Sequence, residues 1–163
     1  MDKMDYKDIL IKVRRIIRSI NLESKRVQKD FGVSIPQILC LEFLKSSPDY
    51  QATQRAIRDH LSLNSSTVTG IISRLENHGL LARLPKSGDK RVTRITLTSA
   101  GDELLKKTPD LFQKRLADKL ERLPHEELTK MSDALDLLTQ MLEIEETDEA
   151  PVIMADSFFE SES

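Results

Sequence analysis

The chain has 163 residues, enough for one domain with a substantial core, and it carries 25 lysines and arginines against 27 aspartates and glutamates. No apolar run approaches the length of about 18 residues that a membrane span needs, and no signal peptide follows the charged start, so we expect a cytoplasmic protein. A single cysteine, Cys40, excludes an internal disulfide and a cysteine-rich metal cluster.

The nearly balanced total charge hides an uneven distribution along the chain. Residues 51–101 contain eight lysines and arginines against three acidic residues, whereas residues 102–163 contain seven against 17. A phosphate senses charge within a Debye length of about 8–10 Å. The central segment would therefore attract nucleic acid although the whole chain is slightly acidic.

The first predicted element is a long helix from about Tyr6 to Phe31, which Gly32 ends. Its apolar residues follow one helical stripe: Ile9, Val13, Ile16, Ile20, Val27 and Phe31. A second helix begins after Ser34, because Ser34 and Gln37 have the spacing of a capping box. This second helix is apolar nearly all round, which predicts a central position in the core.

The next two predicted helices form a helix-turn-helix. Thr53 is placed to cap a short helix that runs to Leu61. Asn64 is placed to cap a second helix, which Gly79 ends. The second helix has an apolar stripe at i, i+3, i+4 and i+7, formed by Val68, Ile71, Ile72 and Leu75. Its opposite face carries short hydrogen-bonding groups and one guanidinium, which suit the base edges of DNA: Ser65, Ser66, Thr67, Thr69, Gly70, Ser73 and Arg74.

After Gly79 the apolar period changes to two, which predicts two short strands, one from Leu80 and one around Ile95 to Leu97. The turn between them carries three cations: Lys86, Lys90 and Arg91. A cationic turn beside a polar helix is where the wing of a winged helix reaches phosphates or the minor groove. An ordinary solvated hairpin is the alternative.

The sequence of the C-terminal third predicts helices that are interrupted near Pro109. A helix should begin after Thr98, and Pro109 should kink or break it near Thr108. The last helix has Pro124 in its first turn and a heptad seam of Leu128, Met131, Leu135, Leu138 and Leu142. Such a seam favours a partner helix in a dimer, with packing inside one chain as the alternative. Residues 147–163 form an acidic tail, for which we expect disorder.

Two runs of the chain resemble the signature of the MarR family of bacterial transcriptional regulators. The first is Leu-Glu-x2-Gly-Leu from Leu75 to Leu80, and the second is Asp-x-Arg-x3-Ile-x-Leu-Thr-x2-Gly from Asp89 to Gly101. The resemblance covers about residues 6–146. It implies a mainly α fold with a small β-wing, in which a winged helix-turn-helix lobe sits on a helical dimerisation base. It also implies a homodimeric repressor that binds a pseudo-palindromic operator in double-stranded DNA and responds to a small molecule.

This organisation divides the chain into four parts. We expect an N-terminal dimerisation helix in residues 1–33, the DNA-binding domain in residues 34–101, C-terminal dimerisation helices in residues 102–146 and the tail in residues 147–163. The dimer interface would use Ile9, Val13, Leu128, Met131, Leu135, Leu138 and Leu142.

The helix-turn-helix and the wing supply the predicted DNA contacts. We expect hydroxyl contacts to bases or phosphates early in the second helix, and phosphate contacts at the start of the preceding helix. The resemblance assigns Arg91 and Lys90 to the minor groove, and Asp89 would orient a wing arginine through a charge-assisted pair. The complete set is Gln54, Arg55, Ser65, Ser66, Thr67, Thr69, Ser73, Arg74, Lys86, Lys90 and Arg91.

By resemblance, an effector site would lie where the dimerisation helices meet the DNA-binding lobe. The faces concerned carry Ile17, Ile35, Leu39, Phe43 and Phe112, for which plain core packing is the alternative. The Pro109 break and the run from Arg14 to Ile20 resemble the branch of the family that represses ectoine and other compatible-solute genes. That likeness implies a compatible solute as the effector.

Other functions have less support in the sequence. Cys40 lies in an apolar helix, which favours a buried thiol over a redox sensor. The histidines lack neighbours at ligand spacing, so no metal or other cofactor is expected. No P-loop or other enzyme motif is present. The main alternative to DNA binding is a winged helix that binds only proteins, which would carry apolar patches instead of cations and hydroxyls.

Overall fold

The computed structural model describes residues 5–86, 88 and 91–144. Helices dominate this part of the chain, and a small antiparallel sheet lies among them. In chain order the elements are α1 (Tyr6–Phe31), α2 (Ile35–Ser46), a 3₁₀ turn (Pro48–Tyr50), β1 (Gln51–Thr53), α3 (Gln54–Leu61), α4 (Ser65–Asn77), β2 (Leu81–Arg83), β3 (Arg94–Leu97), α5 (Ser99–Lys107), α6 (Phe112–Leu120) and α7 (His125–Met141).

The predicted limits of the first helix and the predicted start of the second are confirmed. Gly32 ends α1 with a left-handed backbone, φ +70°, and its N–H donates to the carbonyl of Gln28. The capping box of α2 is complete, since the Gln37 N–H donates to the Ser34 hydroxyl at 3.3 Å and the Ser34 N–H donates to the Gln37 side chain at 3.0 Å.

The sheet has three strands in the order β1-β3-β2. The two strands predicted after Gly79 are confirmed as β2 and β3, and β1 was not predicted. β1 pairs with β3, with Ala52 opposite Ile95, and β2 pairs with the other edge of β3, with Arg83 opposite Ile95. A three-residue strand is too short to show an alternating pattern. It forms because β3, which is distant in sequence, offers it a free edge.

The core is built around α2, as its apolar composition predicted. Ile38, Leu41 and Leu44 of this helix have no exposed surface, and α3, α4, β2 and β3 pack their apolar faces against the same cluster. By contrast, α6 and α7 contain no buried residue, and α1 buries only Ser24 and Val27. The buried core therefore lies mainly in α2, the helix-turn-helix and the sheet.

The end of α4, the start of β2 and the start of α5 meet at one tight junction. The Thr98 hydroxyl donates to the carbonyl of Gly79 at 2.6 Å and accepts the N–H of Gly101 at 3.1 Å, so it joins the α4 end to the α5 cap. A Cβ on Gly101 would lie 2.1 Å from the carbonyl oxygen of Leu80. Only glycine allows α5 to approach the backbone this closely.

The break at Pro109 is confirmed, because α5 ends at Lys107 and α6 begins at Phe112. No side chain next to it in sequence caps α6. Instead Glu23 of α1 accepts the N–H of Phe112 at 2.9 and 3.0 Å through its two carboxylate oxygens, and it pairs with Arg115 at 3.2 Å. A carboxylate from α1 therefore satisfies the positive end of α6.

Gly101→Ala should destabilise the fold by about 1–3 kcal/mol, as overpacking typically does, because the added methyl group would overlap a backbone carbonyl that cannot rotate away. Urea unfolding followed by circular dichroism measures this. Gly70→Ala is the matched control, since a Cβ at that helical glycine would meet no atom within 4 Å. Equal stability of Gly101→Ala and the wild type would contradict the close approach.

Candidate nucleic-acid interface

α4 presents the predicted polar face to solvent. Its stripe of Val68, Ile71, Ile72 and Leu75 is buried, and the residues opposite are exposed or half-buried. Exposed are Ser65, Ser66, Thr67, Thr69 and Arg74, and Ser73 is half-buried. Asn64 caps the helix by accepting the Thr67 N–H at 2.8 Å, and it also accepts the Ser66 hydroxyl at 2.9 Å.

The start of α3 is hydrogen-bonded to this face. The Gln54 amide donates to the Thr69 hydroxyl at 2.8 Å, and the Thr69 hydroxyl donates to the carbonyl of Ser65 at 2.8 Å. Gln54, predicted as a phosphate contact, therefore also orients a side chain of the second helix. Arg55, the next residue, is exposed beside it.

Arg58 is a candidate contact that the sequence reasoning missed. Its guanidinium donates to the Ser65 hydroxyl at 3.3 Å and pairs with Asp59 at 3.1 Å. A surface cavity of about 360 Å³ lies between α3 and α4, lined by Gln54, Arg55, Arg58, Ser65 and Val68. The available signal was spacing, because a residue three positions after Arg55 lies on the same side of a helix.

β2 is joined to the far half of α4 through Arg83. Its guanidinium pairs with Glu76 at 2.6 Å and donates to the Ser73 hydroxyl at 3.3 Å, and its backbone N–H donates to Glu76 at 3.3 Å. The glutamate of the Leu-Glu-x2-Gly-Leu run thus fixes the strand that leads into the wing. Sequence spacing alone did not predict this pairing.

The wing carries exposed cations on both of its sides. Lys86 follows β2 and Arg91 precedes β3, and both are exposed, as is Arg94. Gly88 adopts φ +76° in the turn between them. Asp89 and Lys90, predicted as an orienting residue and a contact, lie outside the described residues.

The five residues predicted for an effector site do not share one environment. Ile35 is 3% exposed in the core, Leu39 and Phe43 pack partly buried against that core, and Phe112 is half-buried. The Phe43 ring stacks on His60 with centroids 4.2 Å apart. Ile17 is 52% exposed, so the alternative of plain core packing is wrong for this residue within one chain. It lines a surface cavity of about 380 Å³ on α1 together with Arg14, Arg18, Asn21, Leu22 and Lys25.

The residues predicted for the dimer interface are largely uncovered in the single chain. Met131, Leu135 and Leu142 of the seam are 42%, 54% and 59% exposed, and Leu128 and Leu138 are half-buried. On α1, Ile9 is exposed and Val13 half-buried. Packing inside one chain therefore leaves the seam of α7 open.

Cys40 is buried without exposed surface, and desolvation raises the pKa of its thiol to about 12. Among the described residues no group of three or more histidine, cysteine, aspartate or glutamate side chains is arranged to hold a metal ion. Within the same residues no helix has the length and apolar character to cross a membrane.

The comparisons with known proteins agree with this architecture. The MarR family model matches residues 33–93. The transcriptional regulator YsmB of Bacillus subtilis is 26% identical over 128 residues, which cover 78% of this chain and 86% of YsmB. The transcriptional repressor MdtR of Bacillus subtilis is 27% identical over 142 residues, which cover 87% and 88% of the two chains.

The solved structure of Sco3205, a MarR-family regulator from Streptomyces coelicolor in complex with DNA, has the same fold. It superposes with a TM-score of 0.63 at 20% identity and covers 91% of this chain and 95% of its own. The helix order, the three-stranded sheet and the family match lead to one conclusion. The chain belongs to the MarR family.

Cys40 should resist alkylation in the folded protein at pH 7, because a thiol with a pKa near 12 that is shielded from solvent supplies almost no thiolate. Mass spectrometry after treatment with iodoacetamide measures the reaction, and the same treatment in denaturant is the control that shows full labelling. Rapid labelling of the native protein would revive the redox-sensor interpretation.

Proposed function

We propose that this protein is a homodimeric transcriptional repressor that binds a pseudo-palindromic operator and is modulated by a small molecule. One observation carries the proposal: α4 buries its apolar stripe and turns outward a face of hydroxyls and one arginine, beside a wing with exposed Lys86 and Arg91. That pairing of a groove-sized polar helix with flanking cations suits double-stranded DNA.

The distribution of charge supports the same function. Residues 51–101 hold five more basic than acidic side chains, and these residues include α3, α4 and the wing. The acidic excess lies in residues 102–163, beyond the helix-turn-helix and the wing. Because screening limits each charge to its surroundings, a phosphate near α4 meets mainly the basic segment.

The proposed binding mode places one α4 of the dimer in each of two successive major grooves, about 34 Å apart. Hydroxyls early in α4 contact bases or phosphates, and Arg74 reaches a phosphate or a guanine edge. Arg55, at the start of α3, contacts phosphates with Gln54. On the wing, Arg91 and Lys90 enter the minor groove and Asp89 orients an arginine.

The open seam of α7 supports the homodimer. A stripe of Met131, Leu135 and Leu142 that one chain leaves exposed is stabilised when a second copy covers it. Residues 1–33 and 102–146 would form this base and residues 34–101 the DNA-binding domain. The latter boundary falls inside α5, which begins at Ser99.

The remaining parts of the proposal rest on the family. Family members are regulators, so we propose regulation rather than catalysis, in the cytoplasm where DNA is accessible. A compatible solute is the first effector to test. A winged helix that binds only proteins is the alternative, but α4 shows hydroxyls where such a surface would show apolar side chains.

Selection from random double-stranded oligonucleotides with the full-length chain tests this function. We expect enrichment of an inverted repeat with half-sites about 10 base pairs apart, centre to centre. Gel shifts of the enriched duplex at two salt concentrations, with and without ectoine or glycine betaine, then measure affinity and effector response. Failure to enrich any sequence would contradict the proposal.

Arg91→Ala should weaken binding to the selected operator and reduce the magnitude of the slope of log affinity against log salt by about 1, because one cation near the phosphates that flank the minor groove is lost. Arg122→Ala, an exposed arginine between α6 and α7, is the matched control and should change neither quantity. If both the affinity and the salt slope of Arg91→Ala stay at the wild-type values in a salt titration, the proposed wing contact is contradicted.

Leu135→Asp should convert the dimer to monomer at micromolar concentration, since it places a charge in the apolar seam of α7. Leu137 is 59% exposed on the other side of the same helix, so Leu137→Asp is the matched control and should remain dimeric. Sedimentation velocity measures both. Monomeric wild type, or a dimer that tolerates Leu135→Asp, would contradict the seam.

A further inference from the structure

Gly70 lies in the middle of α4, on the face that is turned away from the core. Ser66 and Ser73 are four positions before it and three positions after it, so the three residues follow one line along that face. Gly70 was not among the predicted DNA contacts, because glycine has no side chain to make one.

The fold does not require glycine at this position. A Cβ on Gly70 would meet no atom within 4 Å, and the backbone there is not left-handed. Glycine inside a helix is destabilising relative to alanine, since it loses more conformational freedom on folding. Gly101 differs, because a Cβ there would collide with Leu80. Gly70 therefore lowers stability without a compensating contact inside the chain.

The side chains around Gly70 are held by hydrogen bonds to three other parts of the structure. Thr69 is joined to α3 through Gln54, Ser73 to β2 through Arg83, and Ser66 to the helix cap at Asn64. Gly70 thus lies in a notch whose sides are held in place.

The hydroxyl of Thr69 is already engaged within the protein. Its one hydrogen points to the carbonyl of Ser65, at 2.8 Å, so the bond to Gln54 must use the amide N–H of Gln54 as donor. A base that needed this hydrogen would have to break the bond to Ser65. The methyl group of Thr69 carries no such constraint, and the Cα of Gly70 beside it is also apolar. The Thr69 side of the notch is thus better suited to an apolar group than to a hydrogen-bonding one.

We propose that Gly70 is the point where α4 comes closest to the duplex, and that the notch receives the 5-methyl group of a thymine in the major groove. This inference rests on the DNA-binding function proposed above. Glycine is the residue that permits close approach of a backbone to a ligand. The 5-methyl of thymine is the apolar group that base pairs present in the major groove. Gly70 is then a specificity-determining residue.

The first test compares stability with affinity in the full-length dimer. Gly70→Ala should raise the thermal unfolding midpoint by about 1–4 °C, because alanine favours the helix. The same variant should bind the selected operator about tenfold or more weakly, as when a base contact is lost, and an unrelated duplex with unchanged affinity. A purely structural glycine would not give opposite changes in stability and specific binding. Gln113→Ala, on the exposed surface of α6, is the control and should leave both DNA affinities unchanged.

The second test replaces each thymine of the operator in turn by deoxyuridine, which removes only the methyl group. The wild type should lose affinity at one position in each half-site, and Gly70→Ala should be insensitive at that same position. Wild-type affinity of Gly70→Ala for the operator would overturn the close approach. Loss of affinity in Gly70→Ala without any sensitive thymine would overturn the methyl contact. Selection that enriches no sequence would instead contradict the proposed function, and this inference with it.

Discussion

The arrangement of the DNA-binding lobe depends on the close approach of α5 to the backbone of Leu80. Thr98 holds the two elements together, since its hydroxyl donates to the carbonyl of Gly79 after α4 and accepts the N–H of Gly101 in α5. The end of α4, the start of β2, the end of β3 and the start of α5 therefore meet within a few ångströms. A change at this point would move the recognition helix and the wing together, because both leave the same junction.

The outer face of α4 is more constrained than an exposed helix usually is. Gln54, Arg58 and Arg83 reach it from the neighbouring elements and engage the hydroxyls of Ser65, Thr69 and Ser73. Side chains that are fixed before binding lose less conformational entropy when they contact a ligand. That entropy is already lost in the free protein, where these surface side chains are ordered before any ligand binds.

α1 joins the N-terminal part of the chain to the segment that follows the Pro109 break. Its Glu23 caps α6, which follows the Pro109 break. Several of its apolar residues, such as Ile9, Ile16 and Ile17, remain exposed within one chain, as does much of the seam of α7. The proposed second copy would bury the uncovered surfaces, and the Glu23 contact would then link the N-terminal and C-terminal parts of the dimer base within each subunit. After the break, the distant carboxylate of Glu23 therefore accepts the first N–H of α6, which no neighbouring side chain caps.

The sequence by itself determined the helices, their caps and the order of the winged helix-turn-helix, because the signals are local: the Ser34 capping box, the Asn64 cap, the Gly32 stop and the Pro109 break each act within a few residues. It also indicated which face of α4 is polar. Only the tertiary structure decided that β1 exists, that Glu23 caps α6, that Arg83 and Gln54 orient the hydroxyls of α4, and that a Cβ fits at Gly70 but not at Gly101. These features join residues that are far apart in sequence or depend on the space left by neighbours, so no local pattern encodes them.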